Sequence, residues 1–155
     1  MPVRKLDAID LHILRELQEN GSLRNDLLAD RVALSPAPTL RRVRALEDSG
    51  VISRYVALID PQSVGLDVRV RVELRFTAQT REIIEAFAAA VADIPEIIEC
   101  ALVAGEWDAQ LAVVAHDVED YQRFVLTTLA ELPGIAAYRS TPVVREIKCT
   151  TALPV

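Results

Sequence analysis

At 155 residues, 51% of them hydrophobic and only 5% aromatic, the chain suits one domain or two small ones, with an aliphatic core that needs no metal or disulfide staple. No run approaches the roughly 20 apolar residues of a membrane helix, the opening Met1–Asp7 lacks the apolar core of a signal peptide, and Cys100 and Cys149 stand far apart with no ligand-spaced Cys or His. A soluble cytoplasmic chain without metal or cofactor is expected. Its net charge of −6 is unevenly placed, since residues 1–60 carry nine Lys/Arg against nine Asp/Glu and the remainder eight against fourteen.

Leu6, Ile9, Ile13, Leu14 and Leu17 recur at helical spacing and predict a helix over 8–19, with Asp7 as N-cap, Asp10 in the first turn and Asn20-Gly21 as its stop. A second helix over 25–33 offers Leu27, Leu28 and Val32 to the same core, although Arg24 stands where a capping side chain belongs. Ser35 then reads as an N-cap and Pro36 as a first helical residue, where its missing N–H costs nothing. Pro38 is tolerated in the same first turn, leaving Ser35 only the Ala37 N–H to cap. Leu40, Val43 and Leu46 form the expected buried stripe, which turns Arg41, Arg42, Arg44 and Ala45 outward or sideways. No acid occurs between Val32 and Leu46. Two short helices and a third with a basic outer face are the plan of a helix-turn-helix, whose third helix enters the major groove N-terminal residues first. Ser35, Pro36, Ala37, Pro38, Thr39, Arg41, Arg42 and Arg44 are therefore the candidate contacts to double-stranded DNA. A plain three-helix cluster with solvated arginines is the alternative. Val51–Leu58 reads as a strand, and the boundary falls near residue 61, with domain one at 1–60 and a linker at 61–66.

From Val68 to Phe76 apolar residues alternate with Arg69, Arg71, Glu73 and Arg75, a strand with one buried face. A helix over 80–93, strands over 97–104 and 108–115 joined by Gly105-Glu106-Trp107, a helix over 118–132 and a last strand over 136–148 complete the order βαββαβ. That is a ferredoxin-like domain over 67–155, an antiparallel sheet with both helices on one face. Its uncovered face calls for a partner or for polar side chains, so dimerisation through the sheet is expected. The fold class is α+β, a winged-type helix-turn-helix followed by this domain. Pro142 cannot donate to a ladder and marks an edge or bulge in the last strand.

In Leu6-Asp7-x-x-Asp10-x-x-Ile13-Leu14, in Leu34-Ser35-Pro36-x-Pro38-x-Leu40-x-Arg42-Val43-x-x-Leu46-Glu47 with Gly50-Val51-Ile52-x-x-Tyr55, and in Leu102-Val103-Ala104-Gly105-x-x-Asp108 and Leu132-Pro133-Gly134-Ile135, the chain resembles the Lrp/AsnC regulators. The resemblance spans nearly the whole chain. It implies homodimers assembled into octamers or open helical forms, and an effector, generally an amino acid, bound between dimers. It places Leu102, Gly105, Asp108, Val118, Thr141, Pro142 and Val143 at pocket or response positions. Gly105 permits close approach there, and the Asp108 carboxylate suits an α-ammonium; alternatively, both only shape a hairpin turn. Arg41 stands where many members carry a different, often acidic, residue, so base preference does not transfer.

Two other functions compete with a DNA-binding regulator. Tetrapyrrole decarboxylases resemble the family, and such an enzyme needs a general acid or base, most often histidine. His12 and His116 have no Asp, His or Cys partner at triad or ligand spacing. A stand-alone ligand-binding module with a vestigial DNA domain is the second, against which three arginines with no acid among them argue.

Overall fold

The computed structural model describes residues 5–155, so the first four residues of the Met1–Asp7 stretch lie outside it. Three helices open the chain, α1 (Ala8–Glu19), α2 (Asn25–Arg31) and α3 (Pro36–Asp48). Ile13, Leu14, Leu28, Val32 and Leu46 form their common core, with Leu6, Ile9, Leu17, Leu34, Val43 and Ile52 packed around it. Asp7 caps α1 by accepting from the Asp10 N–H at 2.8 Å, and Asp10 returns the favour to the Asp7 N–H at 3.4 Å, a capping box that occupies two otherwise unpaired donors. Arg24 makes no capping bond to α2 and pairs instead with Asp26. The turn into α3 passes through Ala33 in the left-handed region (φ 56°), where a non-glycine residue is uncommon.

Two sequence expectations change in these helices. Leu27 is exposed, and Ala29 takes its place in the core. In α3 Val43 and Leu46 keep their expected places in the stripe, but Thr39 is fully buried and Leu40, 38% exposed, is not part of the core. Burying a threonine costs little here. Its hydroxyl donates to the Ser35 carbonyl at 3.0 Å, the oxygen that also receives the Thr39 N–H at 3.3 Å. The Ser35 side chain makes no capping bond, as expected when Pro36 and Pro38 have removed donors from the first turn.

The strand expected over Val51–Leu58 finds no ladder. Apart from half-buried Ile52 the segment is exposed, with Val56 and Leu58 presenting most of their surface. One helix-side anchor is the Tyr55 hydroxyl, which bonds Glu47 at 3.0 Å. Burial first and the Glu47 carboxylate second push the Tyr55 phenol up to about 12.

The second unit is a four-stranded antiparallel sheet in the order β2-β3-β1-β4, with β1 (Val68–Phe76), β2 (Ile97–Leu102), β3 (Ala109–Ala115) and β4 (Ile135–Pro142). Helices α4 (Arg81–Ala92) and α5 (Val118–Thr127) carry the crossovers, α5 being shorter than expected because a 3-10 turn (Leu129–Glu131) finishes the segment. Val70, Val72, Leu74 and Phe76 of β1 meet Phe87 and Val91 of α4 and Tyr121 and Phe124 of α5, with Phe76 edge-on to Phe87 at 5.0 Å. β4 stops at Pro142 instead of reaching 148, on the sheet's edge as a proline requires, while the register shift lies between Arg75 and Phe76.

The chain divides between Leu58 and Ile59, and Lys148–Val155 group with the helical unit although the expected second domain ran to 155. The Gln18 side chain holds this tail by two bonds to the backbone of Leu153, at 2.6 and 3.1 Å. The expected linker is an ordered turn in the second unit, where Asp60 accepts from the N–H and the hydroxyl of Ser63. No helix among the described residues is long and apolar enough to cross a membrane.

Candidate DNA and effector sites

The packing of α3 separates three arginines that look equivalent in the sequence. Arg42 turns inward, and its Nη1 donates to Asp10 Oδ1 and Asp7 Oδ2, both at 2.8 Å. Asp10 is 2% exposed, so the pair ties the start of α1 to the middle of α3 and neutralises a buried carboxylate. The Asp10 N–H first and the Arg42 guanidinium second hold the Asp7 carboxyl below its usual range. Arg42 and Thr39 were expected to face DNA; Thr39 is instead fully buried, and Arg42 is half-buried with its guanidinium turned to the two carboxylates. Arg41 and Arg44 remain exposed. Ala37 and Pro36 are exposed at the start of the same helix, Ser35 just before it, and Pro38 is half-buried. The Asn25 amide fastens that start to α2 by donating to the Pro36 carbonyl at 2.9 Å.

The seven expected effector residues fall into two groups. Leu102 ends β2, Gly105 lies in the following loop, and Asp108 precedes β3 at the level of Leu74. Thr141, Pro142 and Val143 lie where β4 leaves β1, with Pro142 opposite Val70, and Val118 opens α5 just beyond the far end of β3. Leu74 and Val70 are four residues apart, roughly 13 Å along the strand. A single copy therefore does not bring the seven together.

Asp108 has work within the chain. Its carboxylate accepts from the Phe76 N–H at 2.7 Å and from the Gln79 amide at 2.6 Å, and its own N–H donates to the Leu74 carbonyl at 2.8 Å. Gly105 faces open space, with no atom within 4 Å of the position a Cβ would take. Beside them is a feature the sequence reading missed. Two guanidinium groups, Arg75 and Arg139, lie over the Trp107 ring, each 5.1 Å from its centroid. Its Nε1 is buried and has no acceptor. The signal was present as alternating arginines on β1, but the distant Arg139 is added only by strand pairing.

The open face of the sheet is covered by charge. Arg69 pairs with Glu146 and Arg71 with Glu99, each at 2.8 Å, and the Arg139 Nε donates to Glu73 at 2.6 Å. Beneath these side chains Ala112 and Val114 are buried. Of the two histidines, His12 approaches Glu16 at 3.5 Å on α1, and His116 Nδ1 lies 2.7 Å from the Gly65 carbonyl.

Comparison with known proteins supports both halves. Residues 6–53 match the family model described as winged helix-turn-helix DNA-binding, and residues 69–153 match that of the Lrp/AsnC ligand binding domain. The chain is 41% identical over 150 residues to the leucine-responsive regulatory protein of Haemophilus influenzae, covering 97% of this chain and 90% of that one. With its Escherichia coli K12 counterpart the identity is 39% over 152 residues, 98% and 93% of the two chains. Among solved structures, a transcriptional regulator of Neisseria meningitidis in complex with L-Met superposes with a TM-score of 0.92 at 41% identity, over 97% of each chain. An AsnC family transcriptional regulator from Agrobacterium tumefaciens gives 0.92 at 37% identity, over 96% and 97%.

Proposed function

The chain belongs to the Lrp/AsnC family of DNA-binding transcriptional regulators, and we propose that it meets duplex DNA through the outward face of α3 and answers to an amino acid held where copies of the second unit adjoin. The observation that carries the DNA reading is that outward face, with Arg41 and Arg44 exposed and no acid between Val32 and Leu46. A local basic face serves an acidic protein because charges are screened beyond about 8 Å at cellular salt.

For the effector, the division of the seven residues between two ends of one sheet supports a pocket completed by another copy. The Gly105–Asp108 loop of one copy would supply open space, a carboxylate and the unpartnered Trp107 N–H. Val118 and Thr141–Val143 of another would close it. The L-Met complex of the Neisseria relative supports an amino acid as the ligand class. A homodimer is the minimum assembly, with octamers or open helical forms built on it. The exposed, unladdered Val51–Leu58 segment supports pairing with a second copy, because its backbone groups want a strand.

The decisive experiment is a gel shift on duplex DNA from upstream of the protein's own coding sequence, repeated with each of the twenty amino acids. One amino acid should change the affinity by about 5–150-fold, the usual size of an allosteric coupling. DNA left unshifted under every condition would overturn the reading. The tetrapyrrole decarboxylase alternative has less support, because His12 and His116 are each engaged locally and the relatives reported above are regulators.

A further inference from the structure

Arg41 and Arg44 share the outward side of α3 but not the same surroundings. Successive helix residues lie about 100° apart. With Thr39, Val43 and Leu46 turned to the core, the opposite side carries Ala37, Arg41 and Arg44. Arg41 borders a shallow hollow of about 380 Å³, whose other walls are Leu34, Pro38, Arg42 and Ala45. Arg42 is already committed to Asp7 and Asp10, so the hollow is an apolar surface with one uncommitted guanidinium at its rim.

That combination matches one feature of duplex DNA better than another. A phosphate offers charge but nothing apolar. In the major groove the thymine C5-methyl is the one apolar projection among the base edges, and guanine presents O6 and N7 as paired acceptors for a planar donor. From these surroundings we propose that α3 reads a guanine adjoining a thymine. The Arg41 guanidinium donates to guanine O6 and N7, the thymine methyl seats against Leu34, Pro38 and Ala45, and Arg44 contacts a phosphate. Pro38 contributes here by a means unrelated to helix capping: its ring is a rigid apolar wall that carries no N–H. This assignment deepens the DNA reading above and rests on α3 entering the major groove.

Selection of sites from a randomised duplex library by the full-length protein tests it. The parent should enrich a guanine next to a thymine in each half-site. Arg41→Ala should lose that guanine preference, with affinity for the selected site falling about 5–150-fold while binding to scrambled duplex changes little. Arg44→Ala should weaken both duplexes alike and reduce the salt slope by about one. Arg41→Gln should move the preference to adenine, whose N6 and N7 match an amide. Replacing the thymine by deoxyuridine should lower parent affinity about fourfold, the effect of one buried methyl. Undiminished guanine selection by Arg41→Ala, or a loss shared equally by every sequence, would overturn the base-reading role. A parent that binds no duplex at all would overturn the major-groove reading beneath it.

Discussion

Arg42→Ala separates a structural arginine from a DNA-contacting one. The substitution removes two charge-assisted bonds at 2.8 Å, one of them to Asp10, which is 2% exposed. The Asp7 side chain is 53% exposed, so its half of the interaction is screened and counts for little. The Asp10 half carries the effect. Breaking a fully buried ion pair costs about 3–5 kcal/mol, and a hydrogen bond to a charged group contributes about 1.5–3 kcal/mol. Arg42 keeps 30% of its side chain in solvent, and Asp10 retains its bond from the Asp7 N–H, which places the loss near the lower range, at about 2–3 kcal/mol. For a unit of this size each kcal/mol moves the melting temperature by about 4–8 °C, so the helical unit should melt roughly 10–20 °C lower. Trp107, the only tryptophan, belongs to the second unit with α4 and α5, so its fluorescence reports that unit, and the part of the 222 nm dichroism transition that the fluorescence does not follow reports α1–α3. The dichroism transition should fall and the Trp107 transition should stay. An unchanged helical transition accompanied by weaker DNA binding would refute this reasoning and return Arg42 to the DNA face.

Other perturbations have equally definite outcomes. Gly134 adopts φ 76°, and a Cβ there would stand 2.3 Å from Ile83 Cγ2, so Gly134→Ala should destabilise the second unit by about 2–4 kcal/mol in denaturant titration followed at Trp107. Asp108→Asn keeps an oxygen for the Phe76 N–H while removing the charge; thermal unfolding should stay within about 1 kcal/mol of the parent, and the amino-acid-induced thermal shift should vanish. Acid should loosen the helical unit. The Asp26 carboxyl is lowered to about 2 by Arg24, Glu16 is lowered by Arg31, and Asp7 by the Asp10 N–H and then Arg42. Groups depressed in the folded state stabilise it fully above their unfolded values and lose that contribution as pH falls through the folded ones. Helical dichroism melts should therefore be flat from pH 7 to about 5 and decline between about 4.5 and 2, and a melt independent of pH over that range would dismiss these pairs as contributors.

Local signals sufficed for most of the elements. Alternation fixed β1 at Val68–Phe76, because a strand with one buried face needs nothing beyond its own residues to declare its period. Asp7 declared the start of α1 through a side chain that bonds three residues ahead. Tertiary structure decided matters that depend on which neighbour a side chain meets. Hydropathy favoured Leu40 over Thr39 for the core of α3, yet a hydroxyl satisfied by the Ser35 carbonyl is buried at small cost, and on the same helix Arg42 meets Asp10. Asp10 read as a first-turn acid and proved to be a buried partner 32 positions from its arginine. The Val51–Leu58 run has strand composition but, among the described residues, no strand paired with it, and a ladder requires two. Likewise, Leu102, Gly105 and Asp108 could be grouped with Thr141, Pro142 and Val143 by resemblance, but only strand register put them at opposite ends of the sheet. Periodicity is a property of consecutive residues and is written into them; the choice of partner is made across the chain, where packing, charge and register settle it together.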